Sequence, residues 1–330
     1  MPGSISAIKT FRKNLNITAA LLLFTFPVQI IASLLSLYLT KAFNGSLSPF
    51  ISDFFLPQFI FPILLAVIVI ASSMALLRVK PQQVFPVHKL KAADVILAIF
   101  IFLAASIAVS TAAAFVEGLI DPNGSWIASY DQGMVAPQGP TEILLYILAV
   151  AVLPALCEEG MYRGIVLGSL KPLNKKIAVI VSAVLFGFMH CTIQQIPVAI
   201  LIGLLLGYFC IRYNSILLPI ILHFSNNLIS IICQVVYGTW GAEIYSLFDL
   251  FLTCFFFVGG CISLIIYIIK QKNEVRQVAV LGDHAPLDPK PVLSDSKATL
   301  ATVTSVAFWI NIIAMILCTI LYNMVLLNMQ

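Results

Sequence analysis

Apolar residues run through this chain in blocks rather than in alternating or two-faced patterns. Between short polar interruptions, stretches of twenty or so residues are apolar all round and carry almost no charge. Blocks of that length match about 30 Å of hydrocarbon. With no water at that depth to satisfy backbone N–H and C=O groups, each block must be a helix. The pattern predicts nine spans, at residues 17–39, 54–77, 93–116, 141–170, 177–190, 196–211, 216–236, 245–269 and 300–327, the fifth and sixth being the shortest. The first is too long for the apolar region of a signal peptide and no small-residue cleavage site follows it, so it reads as an uncleaved span.

Composition agrees with the pattern. Of 330 residues, 61% are hydrophobic and 10% charged, and the mean hydropathy of +1.04 is far above that of a water-soluble domain. The fold class expected is all-α, a polytopic membrane protein of about nine transmembrane helices. The net charge of +4 is a topology signal rather than a mark of nucleic-acid binding. If the spans alternate, Lys41 is alone on one side, and the other 17 of the 18 Lys and Arg fall on the opposite side. By the positive-inside rule that side is the cytosol. The expected chain is an integral protein of the cell membrane with a cytosolic N-terminus and an outside C-terminus.

Two polar connections stand out: residues 117–140, rich in turn formers and placed outside, and residues 271–298, punctuated by Pro286, Pro289 and Pro291 and placed in the cytosol. Asn44 and Asn123 each begin an N-x-S sequence in an outside loop, a pattern frequent by chance. No internal repeat is visible. The seven cysteines lie in or beside apolar spans without ligand spacing and read as small buried apolar residues.

An ionisable group near the middle of a span costs about 2.5–3.5 kcal/mol on insertion scales, so it usually faces a cavity or a partner. Here such groups concentrate. The fourth span holds "EEGMYR", with Glu158, Glu159 and Arg163; the fifth holds "FGFMH", ending at His190; the seventh holds "HFSNN", with His223, Asn226 and Asn227. Glu159 and Arg163, four apart with the acid first, share a helix face as an ion pair. Glu158 is turned about 100° from Glu159 and can meet a different neighbour. Counted back to each helix's basic end at 1.5 Å per residue, Glu158, His190 and His223 lie about 18, 20 and 11 Å deep. They can converge on one chamber.

Each group also has a plain structural reading. Glu159–Arg163 is a self-neutralising buried pair, and this outweighs direct chemistry for it. A lone intramembrane His or Asn bridges helices, and Phe186 packs against lipid or core. The combination shifts the balance, because a carboxylate, two imidazoles and an amide suffice to activate water and stabilise an oxyanion.

These three motifs, EExxxR, FxxxH and HxxxN in order on three spans, resemble those of the CPBP family: type II CAAX prenyl endopeptidases and bacteriocin-processing, Abi-type intramembrane proteases. The resemblance covers residues 141–236 as a protease core of four helices, with membrane regions 1–140 and 237–330 around it. It implies an intramembrane endopeptidase acting on a membrane-associated peptide or protein. Glu158 is then the water-activating carboxylate, His190 shares that water, and His223 and Asn227 stabilise the oxyanion. Glu159 and Arg163 complete the first motif. Either the pair polarises water directly, or Glu158, His190 and His223 hold a zinc; the sequence lacks a local HExxH and leaves both open. Two other classes stay open as well, a proton-coupled transporter and a non-catalytic scaffold or immunity protein on the same fold. A relay would spread ionisable residues along a path, whereas here they form one band of depth.

Overall fold

The computed structural model describes residues 2–43, 47–123, 137, 139–280 and 291–329. Among these residues the chain is all-α, and no strand occurs. The N-x-S sequence at Asn44 and the middle parts of both polar connections lie outside the described residues.

The helices are α1 (Pro2–Leu22), α2 (Thr25–Ala42), α3 (Phe50–Leu77), α4 (Ala92–Ile120), α5 (Gly139–Leu170), α6 (Lys175–Phe188), α7 (Gln195–Tyr213), α8 (Leu217–Val280), α9 (Asp295–Val303) and α10 (Val306–Met329). Seven described helical segments are long and apolar enough to cross a membrane. Three places account for the difference from the nine predicted spans and their bounds. The α6 helix has only 14 residues, too short to cross unaided. The first block is helical from its start, breaks at Leu23–Phe24 and continues as α2. Its first part belongs to α1, which begins well before the block; with Phe11, Leu15 and Ala19 fully buried, α1 is packed within the protein and tied to the C-terminal helix through Asn311 Nδ2 and the Ala19 carbonyl, 3.1 Å apart.

The third place is α8, in which the predicted seventh and eighth blocks are continuous except at Gly241 (φ 79°, ψ −179°). The chain reverses there: the rings of Tyr237 and Tyr245 meet edge-on at 5.6 Å, and the far arm returns to pair Lys270 with Asp94 at the start of α4. That backbone conformation is essentially confined to glycine and strains other residues by about 1–3 kcal/mol. Gly241→Ala is therefore expected to lower the amount of folded protein in membranes. Gly238→Ala, on an ordinary helical turn with nothing within 4 Å of the added methyl, is expected not to; immunoblots of detergent-stable protein check both.

The connections rich in Lys and Arg gather at one end of the bundle. Ile216 N donates to the Pro86 carbonyl, and Leu293 N donates to that of Leu173, each at 2.9 Å. Arg212 pairs with Glu274. Asn174 Nδ2 and Lys176 Nζ reach Asp295 at 2.9 and 3.2 Å and hold its carboxyl below the ordinary carboxylate range. That contribution is present at neutral pH and is lost as the pH falls through the lowered value. The sides of the bundle are apolar, with Leu34, Leu144, Phe251 and Leu321 each more than half exposed, as expected of a lipid-facing surface.

Within the bundle, α5 is the element that places the site. It is wound in wide π turns at Leu148–Val152 and Gly160–Leu167, on either side of the adjacent glutamates. Such turns often occur at functional positions. Gly164 lets the segment before α4 come close, since an added Cβ would stand 2.2 Å from Phe85 Cε1. The expected burial of the cysteines holds fully only for Cys210: Cys157, Cys191, Cys233 and Cys318 are half-buried, and Cys254 and Cys261 are exposed on the apolar flank. A thiol is apolar enough to lie against lipid at little cost.

Candidate active site

Glu159 and Arg163 lie at the centre of the protein, both side chains fully enclosed. Arg163 Nη1 donates to Glu159 Oε1 at 2.8 Å, and Nη2 donates to the Gly203 carbonyl on α7 at 3.0 Å. The guanidinium lies 4.4 Å over the Phe186 ring. A bare residue at 203 is what admits this arrangement, because a Cβ there would stand 3.2 Å from Nη2 and 3.1 Å from the Ala183 backbone. Phe186 is core, not lipid-facing, at 3% exposure.

His223 Nδ1 is 2.9 Å from Glu159 Oε1, and its Nε2 is 4.0 Å from Glu158 Oε2. The two glutamates thus meet the same neighbour rather than different ones. An imidazole ring inserted beside the helix offers one nitrogen to each of two diverging carboxylates. Since a carboxylate accepts, Nδ1 donates to Glu159. Glu158 is half-buried, and its Oε2, shut off from solvent, has no hydrogen-bond partner.

His190 follows the end of α6 and is anchored by Nδ1 to the Phe186 carbonyl at 3.0 Å. A carbonyl only accepts, so Nδ1 carries the proton and the neutral ring keeps a lone pair on Nε2. Phe186 packs edge-on against both imidazoles, with centroids 5.1 Å from His190 and 5.8 Å from His223.

Asn227 Nδ2 donates to the Val150 carbonyl at 3.0 Å, in the first π turn of α5. One of its two N–H groups is therefore engaged and one is left. Its Oδ1 is met by Asn226 Nδ2 at 3.4 Å, and Asn226 Oδ1 accepts from Ser106 at 2.5 Å.

These groups border a cavity of about 370 Å³. His190, His223, Asn226 and Asn227 line it; Glu158 stands behind His223, and Glu159 and Arg163 are further inside the protein wall. The rest of the lining includes Ser110 and Glu117 of α4 and Gln194 at the start of α7, and Gln194 Nε2 donates to Glu117 Oε1 at 3.3 Å. Sequence reasoning missed Ser106, Ser110, Glu117 and Gln194. The one usable signal was Glu117, a carboxylate one residue beyond an apolar block.

Glu158, His190 and His223 do not fit a zinc. Bonds of 2.0–2.2 Å in tetrahedral geometry set donor atoms roughly 3.4 Å apart. Glu158 Oε2 and His223 Nε2 already exceed that separation. Among the described residues no group of three His, Cys, Asp or Glu side chains is placed to hold a metal ion.

The segment that carries the glutamates, both histidines and Asn227 runs from the start of α5 into the first arm of α8. Residues 140–229 match the family described as type II CAAX prenyl endopeptidase Rce1-like. No curated protein and no solved structure matches the chain. The match supports, at the level of the Rce1-like family, a CAAX-type intramembrane protease. It contains all three sequence motifs and about a quarter of the chain. The cavity wall contributed by α4 lies outside it, as do α1–α3 and α9–α10.

Proposed function

We propose that the chain is an intramembrane endopeptidase that hydrolyses a peptide bond of a membrane-associated protein or peptide with a water activated by Glu158 and His190. The observation that carries this reading is the solvent-shielded Oε2 of Glu158, which has no hydrogen-bond partner and lies 4.0 Å behind Nε2 of His223, a residue that lines the cavity together with His190.

Glu158 and the Nε2 lone pair of His190 take the proton as the water oxygen bonds to the scissile carbonyl carbon. The carbonyl oxygen becomes an oxyanion, met by the free N–H of Asn227 and by His223. Because His223 Nδ1 donates to Glu159, offering an N–H at Nε2 as well requires the doubly protonated ring. Glu158, Glu159, Arg163 and that ring then sum to zero charge, as a buried cluster demands. When the C–N bond breaks, the proton passes from the Glu158–His190 pair to the leaving amine. Glu159 and Arg163 act as positioning residues: Arg163 holds the carboxylate that holds His223.

The orientation proposed places the Lys- and Arg-rich end in the cytosol of the cell membrane, following the positive-inside rule. Asn227→Ala is expected to slow cleavage by about a hundred- to a thousandfold, the cost of one oxyanion donor, and to remove the side-chain bond to the Val150 carbonyl. Single-turnover rates of the reconstituted variant check it. In cells, the function is tested by comparing membrane proteomes with the wild-type chain and with Glu158→Gln. A precursor that accumulates only in the variant is the expected result, and identical profiles oppose the reading.

A further inference from the structure

Helix α4 and the first arm of α8 meet along a seam of matched register. Ala98, Phe102 and Ser106 recur every four residues on α4, as do Leu218, Leu222 and Asn226 on α8, and residues four apart share a helix face. Ala98, Phe102, Leu218 and Leu222 belong to one buried apolar cluster. One turn further on, both faces become polar together, and Ser106 Oγ donates to Asn226 Oδ1 at 2.5 Å. A serine or threonine within a helix commonly bonds back to the carbonyl four residues earlier, as Thr18, Thr40, Ser225 and Thr319 do here. The Ser106 hydroxyl, on a residue 6% exposed, instead reaches across to the neighbouring helix. Its bond is the first of three in line. Asn226 Nδ2 donates to Asn227 Oδ1 at 3.4 Å, the loosest of them, and Asn227 Nδ2 donates to the Val150 carbonyl at 3.0 Å. A carbonyl only accepts, and this fixes the direction of the line: each amide presents its oxygen toward the Ser106 end and its nitrogen toward the Val150 end. Turning either amide over, or both, sets oxygen against oxygen at one of the contacts.

We infer that Ser106 is a positioning residue for the oxyanion site: through Asn226 it fixes the plane and the sense of the Asn227 carboxamide, so that the N–H left on Asn227 is set before substrate arrives. The role given to Ser106 rests on the one proposed for Asn227. An asparagine carboxamide turns in a broad, two-fold well, so the direction of its free N–H depends on the contacts that hold the plane. A donor held in place beforehand needs no reorganisation as charge develops on the carbonyl oxygen. Without the Ser106 hydroxyl, Asn226 Oδ1 loses its donor and Asn226 is free to turn over, which leaves Asn227 held by the Val150 carbonyl alone. Helix α4, outside the matched residues 140–229, thereby supports the chemistry as well as lining the cavity.

The test is steady-state cleavage by the full chain in proteoliposomes, with the precursor that accumulates in Glu158→Gln cells as substrate and rates taken per amount of folded protein. Ser106→Ala is expected to lower kcat about tenfold with KM unchanged, less than the hundred- to thousandfold cost of losing an oxyanion donor outright. Asn226→Ala should match it. Combined with Asn227→Ala, Ser106→Ala should cause no further loss, because its effect passes through Asn227, whereas a merely structural defect would add to that of Asn227→Ala. Ser225→Ala removes a neighbouring hydroxyl that bonds to Ile221 in its own helix and should cleave as the wild type does. A wild-type kcat for Ser106→Ala, a loss in KM alone, an equal loss in Ser225→Ala, or the same loss with and without Asn227 would each overturn the role of Ser106 and leave the protease reading standing. A wild-type chain that does not cleave the precursor would sink the protease reading, and the role of Ser106 with it.

Discussion

Glu158→Gln yields a normally inserted, normally abundant protein with no detectable cleavage. The substitution keeps the volume and the hydrogen-bonding shape of the side chain, and it breaks no hydrogen bond of Oε2, which has none. The fully enclosed pair behind it, Glu159 with Arg163, is untouched. What is lost is the ability to accept a proton from water and return it to the leaving amine, for which the neutral amide offers no substitute. His190→Ala and His223→Ala are expected to be similarly inactive. His190 supplies the second proton acceptor, and His223 is the ring through which both glutamates reach the cavity. Membrane-fraction abundance and cleavage of an accumulated precursor, measured on the same preparations, separate lost chemistry from lost folding.

Arg163→Ala has its largest effect on abundance rather than on turnover. The side chain is 1% exposed and supplies the bonds to Glu159 and to the Gly203 carbonyl. Its removal leaves a buried carboxylate with His223 as the remaining partner and also opens a void under Phe186. Stripping one partner from a buried pair costs about 3–5 kcal/mol, a large share of the stability of a typical domain. Glu159→Gln is milder, because glutamine still accepts from both Arg163 and His223 and the neighbouring Glu158 supplies a counter-charge. Thermal unfolding in detergent should show a larger fall in Tm for Arg163→Ala than for Glu159→Gln. Equal falls would count against a structural pair.

The parts of this site that read clearly in the sequence are those that are costly to place in a membrane. Glu159 and Arg163 announced their pairing because two charges four residues apart inside an apolar block have few other solutions. The two histidines fell in one depth band for the same reason, and both do line one cavity. Cheap features left no mark. Ser106 and Ser110 interrupt an apolar helix at little cost, so nothing singled out α4 as a cavity wall. The reversal at Gly241 depends on one residue that hydropathy averages away, and the π turns around Glu158 and Glu159 have no composition signal. The rotation between adjacent residues was right for an ideal helix, yet it misled about partners, since one imidazole can serve two carboxylates.

Activation of the hydrolytic water by Glu158 can be tested in a purified system. The most direct measurement is cleavage in proteoliposomes containing the purified chain and the precursor that accumulates in Glu158→Gln cells, with product termini read by mass spectrometry. A single cut by the wild-type protein, unaffected by a zinc chelator, and none by equal amounts of Glu158→Gln is the expected result. Cleavage by that variant at the wild-type rate would contradict it.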